Sequence, residues 1–183
     1  EYMTGNSFLK DNFNREYVYA ARDQWDEIMD KSRAIVTKKW KYIRNYKPEI
    51  PYDAGQAYLE FYRPAVHIMR TAKTKNLLTN AQLHFFKESK DLEELYDLEN
   101  DPHETKNLAL DPSFQNLINK FRIDMEDYNE RYRPMSDEYE PIIAESVVIF
   151  EWVKKNRPEE YKRMQEGYEI GFSKSKDEYY KNN

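Results

Sequence analysis

Residues 94–109 read ELYDLENDPHETKNLA, and the conformation of this stretch decides the fold of the chain. As a calcium loop, Asp97, Glu99 and Asp101 would supply the alternating opening ligands. Pro102, however, stands where such a loop needs glycine for its sharp turn, and Leu108 where it needs a bidentate glutamate. As a helix, Leu92, Leu95 and Tyr96 fall at i, i+3 and i+4, with Leu98 just off the stripe. As a strand, Leu95 to Leu98 would run into a turn at Asn100-Asp101-Pro102, with Asp101 capping a short helical turn that ends at Asn107-Leu108-Ala109. Periodicity alone leaves helix and strand both open.

The flanks are easier to read. Upstream, Tyr17-Val18-Tyr19-Ala20-Ala21 is β-branched and aromatic, a strand signal. Arg33 to Tyr46 reads as two strands joined by a tight turn near Thr37-Lys38-Lys39. Ala34 and Val36 share one face of the first, and Tyr42, Arg44 and Tyr46 alternate with Ile43 and Asn45 on the second. Pro48 and Pro51 end the pairing. From Ala54 to Lys90 the texture is helical: Tyr58, Phe61 and Tyr62 form a stripe, and Thr79 is an N-cap before Leu83 and Phe86.

Downstream, Asp111-Pro112 opens a long helix with aspartate as cap and proline in the first turn. Phe114, Leu117, Ile118, Phe121, Met125, Tyr128 and Tyr132 trace its apolar face, which needs a sheet or another helix to lie on. Two further helical segments follow Pro134, then a polar tail expected to fray. The expected class is α+β: a small antiparallel sheet of about four strands packed against a long helix, with additional peripheral C-terminal helices. The expected division is 1–133 for the sheet-and-helix domain and 134–183 for a helical extension packed on it.

Composition narrows the function classes. A net charge of −5 over 183 residues gives no footing for nucleic acid. Aromatic residues make up 15% of the chain, enough for a core rich in rings with polar tips rather than a disordered segment. Cysteine is absent, which removes disulfides, thiolate metal sites and a cysteine nucleophile. No apolar run approaches the roughly 18 residues of a membrane span. The start, EYMTGNSFLK, has neither the basic opening nor the apolar centre of a signal peptide, and the chain reads as a piece of a longer protein.

The stretch that opens this section resembles the hallmark near the C-terminus of the sulfatase family, in the alkaline-phosphatase superfamily. The segment Tyr17–Asp53 is similar to the strand and hairpin that precede that hallmark, and Thr4–Lys10 to the connector leaving the large catalytic domain. The resemblance runs from about residue 4 to residue 132 and favours strand, turn and cap. It does not separate sulfatases from phosphodiester or phosphonate hydrolases of the same superfamily.

The resemblance implies a C-terminal subdomain of a sulfuric ester hydrolase acting on sulfated glycans. Its partners would be an upstream catalytic domain of the same protein and a sulfated carbohydrate, in a periplasmic or secreted setting. Relatives use a formylglycine made in a Cys/Ser-x-Pro-x-Arg motif and a calcium ion. No serine here is followed by x-Pro-x-Arg, so both belong to the full-length parent, and this piece alone is expected to be inactive. A non-catalytic glycan-binding module is the reading from a different class.

The expected contribution of the subdomain is a wall of the substrate cleft. The segment Ala21–Arg33 follows a strand and precedes the hairpin, and carries Arg22, Asp23, Trp25, Asp26, Asp30 and Arg33. Arginine grips anions bidentately, carboxylates accept sugar hydroxyls and tryptophan offers an apolar face. The competing reading of the same residues is a set of ion pairs, Arg22–Asp30 or Asp30–Arg33, stapling the loop. Many relatives carry arginine where this chain has Val36, so an anion contact from that position is lost. His67, His84 and His103 are too scattered for a three-ligand metal site and read as surface or packing residues. The lysines of the hairpin read as a solvated face.

Overall fold

The computed structural model describes residues 7–9, 11, 13–25, 28–54, 56, 59, 64–132, 146–159 and 161–162. These carry four strands, β1 (Val18–Arg22), β2 (Ser32–Val36), β3 (Trp40–Asn45) and β4 (Glu93–Asp97), and four helices, α1 (Pro64–Thr74), α2 (Asn80–His84), α3 (Gln115–Tyr132) and α4 (Ser146–Asn156). They fall into two compact units. One is built from residues 1–23, 30–48 and 90–140, the other from 24–29, 49–89 and 141–183. The boundary expected between 133 and 134 lies outside the described residues.

In the first unit the strands form one antiparallel sheet in the order β1-β2-β3-β4. The β2–β3 turn is closed by Thr37, whose Oγ1 accepts from the amides of Lys39 (3.2 Å) and Trp40 (2.7 Å). That turn fixes the register, which places Ile35 opposite Tyr42 and Tyr42 opposite Leu95. Because side chains alternate across a strand, these three share one face, and all three are fully buried. Ala34 and Val36, which share the other face of β2, remain half-buried.

The long helix covers the row of Ile35, Tyr42 and Leu95. Asp111 Oδ1 accepts from the Ser113 amide at 2.9 Å, and a single 3₁₀ turn over Pro112–Phe114 leads into α3. Ile118, Phe121, Met125 and Asn129, spaced three and four apart, are its buried residues. The ring of Phe121 stacks on Tyr42 with centroids 5.8 Å apart. Truncating Leu95 or Phe121 in such a core costs about 2–5 kcal/mol.

The opening stretch holds β4 and a loop. The strand forms as Glu93–Asp97, and the Leu98 amide donates to the Lys39 carbonyl at 2.7 Å, prolonging the pairing by one residue. The helical turn expected after Asp101 does not form. Glu104 has φ of 54°, a left-handed value that interrupts any helical run. Asp101 still closes the turn: its Oδ2 accepts from the amides of Thr105 and Lys106, each at 2.8 Å. Asn107 then lies along β4, its Oδ1 accepting from Leu95 N (3.0 Å) and its Nδ2 donating to the Glu93 carbonyl (3.0 Å). The Leu108 amide donates to the Leu95 carbonyl at 2.8 Å. The Asn-Leu-Ala triplet thus acts as a partner for a strand rather than a helix end.

The second unit is helical in its described part. The Thr79 cap is present and forms a full capping box with Gln82. Arg70 bonds Asp53 from Nε at 2.9 Å, and Lys73 Nζ sits 5.4 Å above the ring of Phe86. His84 lies against Tyr52, a packing position. The Tyr58, Phe61 and Tyr62 stripe lies outside the described residues. Among the described residues no helix is long and apolar enough to cross a membrane.

Candidate functional site

The segment Ala21–Arg33 leaves the sheet at Arg22 and returns at Ser32, so its ends are pinned side by side by the β1–β2 ladder. Four of the six residues singled out from sequence gather there. Asp30 is buried and pairs with Arg22 and with Lys90, whose side chain is 0% exposed. Lys90 is held in place by its own amide, which donates to the Pro48 carbonyl at 2.8 Å. Arg33 is also buried. Its Nη2 bonds Asp23 Oδ1 at 2.6 Å and its Nη1 donates to the carbonyls of Arg22 (3.0 Å) and Ser32 (2.9 Å).

The described members of the cluster are three cations, Arg22, Arg33 and Lys90, and two carboxylates, Asp23 and Asp30. Arg22 is its most open member, with a side chain 38% exposed, and its buried Nε meets no acceptor among the described residues. Asp30 and Arg33 therefore hold the strand ends together, while Arg22 and Asp23 keep part of their surface in solvent. The ion-pair reading thus applies to Asp30 with Arg22, whereas Arg33 pairs with Asp23. Trp25 belongs to the second unit, where it exchanges two backbone hydrogen bonds with Ile28 (2.8 and 2.9 Å) and is 37% exposed. Asp26 lies outside the described residues.

The acidic triplet of the opening stretch does not fit a calcium cage. Asp97 accepts from the amides of Glu99 and Asn100 and from the Asn100 side chain, and Asp101 from Thr105 and Lys106. Their oxygens point into their own turns. The Lys106 amide, followed by that of Thr105, holds the Asp101 carboxyl below its usual range. Among the described residues no three His, Cys, Asp or Glu side chains converge as metal ligands would.

A second feature of the first unit escaped the sequence reading. A cavity of about 700 Å³ is lined by Tyr42, Arg44 and Tyr46 from β3 and its exit, and by Arg122, Met125, Glu126, Asn129 and Glu130 from α3. Its wall is organised by Glu93, which is bonded through both oxygens by Arg122 (Nε to Oε1 at 2.7 Å), by Arg44 at 2.9 Å and by the Tyr42 hydroxyl. The Arg122 bond is the main reason that the Glu93 carboxyl is lowered to about 2. Burial, reinforced by the neighbouring Glu93, raises the Tyr42 phenol. The signal in the sequence was Asn129, a polar residue on an otherwise apolar stripe. Glu93 and Arg122 lie 29 residues apart, and nothing local joins them.

Comparison with known proteins bears on both units. A family model described as N-sulphoglucosamine sulphohydrolase, C-terminal, matches residues 49–131. Two Ulvan-active sulfatases of Formosa agariphila are similar. One is 38% identical over 128 residues, covering 69% of this chain and 21% of the relative. The other is 31% identical over 140 residues, covering 68% and 24%. Among solved structures, a 2-O GAG sulfatase aligns over 72% of this chain and 20% of its own, at 20% identity and a TM-score of 0.41. The chain spans about a fifth to a quarter of the length of the curated relatives it matches. The family match over residues 49–131 and the similarity to two sulfatases mark this chain as a C-terminal subdomain of the sulfatase family.

Proposed function

We propose that this chain is the C-terminal part of a sulfuric ester hydrolase acting on sulfated glycans, and that the Arg22–Arg33 segment forms one wall of its substrate cleft. The observation that carries the reading is the 38% identity to an Ulvan-active sulfatase. The formylglycine nucleophile and the calcium ion of the family would be supplied by the upstream part of the protein. The chain alone would then be catalytically silent. A periplasmic or secreted location follows from the same family reading.

Within the segment the roles divide by burial. Arg22, partly open to solvent, would meet an anionic group of the glycan. Asp23 would accept a sugar hydroxyl and Trp25 would offer its exposed ring, with Asp26 next to Trp25 in sequence. Asp30 and Arg33 are positioning residues, since their burial leaves them no path to a ligand. The test is made in the full-length protein with two substrates, a natural sulfated glycan and a small aryl sulfate. Trp25→Ala and Asp23→Ala should lower kcat/KM on the glycan by about tenfold to a hundredfold. The aryl sulfate, which reaches only the sulfate pocket, should be turned over at nearly the original rate. Equal losses on both substrates with a lowered Tm would mean that the segment serves the fold alone. Turnover of a phosphodiester in place of any sulfate ester would move the protein to another branch of the superfamily.

A further inference from the structure

The cavity between β3 and α3 has the size of a small-molecule site, roughly 300–1,000 Å³ being usual. Its chemistry selects a ligand class. Arg44 and Arg122 line it together with Glu126 and Glu130, and Glu93, the partner of both arginines, brings this group of five to one excess negative charge. Both arginines are already committed to Glu93, and among the described residues Glu126 and Glu130 have no basic partner. An anionic group would enter against that charge. A purely apolar ligand would leave the glutamates desolvated and unpaired, a cost of order kcal/mol for each polar group.

The interior adds a second constraint. Asn129 is 94% buried, as its 6% exposure shows. Its Nδ2 donates to the Tyr46 hydroxyl at 3.2 Å, whereas its Oδ1 receives no donor among the described residues. A buried amide oxygen of this kind calls for a hydroxyl or amine hydrogen. Tyr46 and Met125 contribute apolar surface beside these acceptors. Acceptors at Asn129, Glu126 and Glu130, set beside an aromatic ring, match a ligand rich in hydroxyl donors on a compact ring.

We propose that this cavity binds an uncharged sugar unit of a glycan chain. The proposal rests on the glycan reading above and deepens it: Arg22 with its cluster is suited to sulfated units, and the cavity to unsulfated ones. The test uses the 183-residue chain, with cellobiose and xylobiose as uncharged probes and glucose 6-sulfate as the anionic one, followed by NMR titration. Saturable binding of at least one uncharged disaccharide is expected, tighter than that of glucose 6-sulfate. Glu126→Ala and Glu130→Ala, both at exposed positions, should each weaken it by about fivefold to tenfold with Tm unchanged. Asn129→Leu should abolish it, and retained resonance dispersion would show that this variant still folds. Tighter binding of glucose 6-sulfate, binding insensitive to both glutamate variants, or no saturable shift with either disaccharide up to its solubility limit would overturn the proposal. Such a failure leaves turnover of the full-length protein on sulfated glycans as the separate measure of the reading beneath it.

Discussion

Asp30 and Glu93 sit in the same unit, each a carboxylate gripped by two cations, yet they do different work. Asp30 is held by Arg22 and by Lys90, whose side chain is fully buried. Glu93 is held by Arg44 and Arg122, whose side chains are 31% and 38% exposed and line a cavity. A buried ammonium has no water to fall back on, so its pairing is a structural obligation. A half-exposed guanidinium can trade one partner for another. The contrast separates Lys90, a staple, from the partly exposed guanidiniums, Arg22 included, that can meet a ligand, and the separation rests on burial rather than on which carboxylate is gripped.

The contrast is most easily broken at Lys90. Lys90→Met should leave Asp30 buried with only Arg22 and destabilise the chain by about 3–5 kcal/mol in urea unfolding. Adding Asp30→Asn should recover most of that loss, because the uncompensated charge is gone. If Lys90→Met costs under about 1 kcal/mol, the Asp30 cluster is no more obligatory than the Glu93 one.

Glu93 should show its contribution through pH. Its carboxyl lies at about 2 in the fold against an ordinary value of 4.5, so the folded state favours the ionised form. The corresponding stability, on the order of 3 kcal/mol, is fully present above pH 4.5 and is lost as pH falls through about 2. Glu93→Gln should flatten the unfolding free energy across that window. An acid limb unchanged in Glu93→Gln would place the titrating group elsewhere.

Asp101→Ala should cost about 1 kcal/mol, since two amides lose their acceptor. Calcium should leave the Tm of both wild type and variant unmoved. A calcium-dependent rise confined to the wild type would restore the metal-loop reading. The smallest effect belongs to the exposed pair Arg131–Asp127 on α3. Arg131→Ala should stay within about 0.5 kcal/mol, the floor against which both clusters are judged.

Much of the fold was legible because its signals are local. The Thr37 turn, the Thr79 capping box, the Asp111-Pro112 helix start and the Ile118–Phe121–Met125 stripe each lie within one turn or one face. Strand β4 was ambiguous by period, since Leu95 and Tyr96 are adjacent and both buried. Only the resemblance decided it. The helical turn after Asp101 was expected from the cap residue, but the same carboxylate can close a non-helical turn, which is what it does. At the candidate site, Arg22 with Asp30 could be guessed from their shared segment. Lys90 could not, being 60 residues from its carboxylate and brought there by the fold. The cavity was hidden for the same reason.

The Asn107 side chain has a consequence beyond the turn it belongs to. A terminal strand normally exposes a row of unsatisfied amides and carbonyls, a template on which another polypeptide can add itself. Along β4 that row meets the carboxamide of Asn107 and the backbone of Leu108, which occupy Leu95 and the Glu93 carbonyl in place of a fifth strand. One side chain therefore acts as a terminator of the sheet. It denies this border to foreign strands and guards the subdomain against runaway self-assembly there.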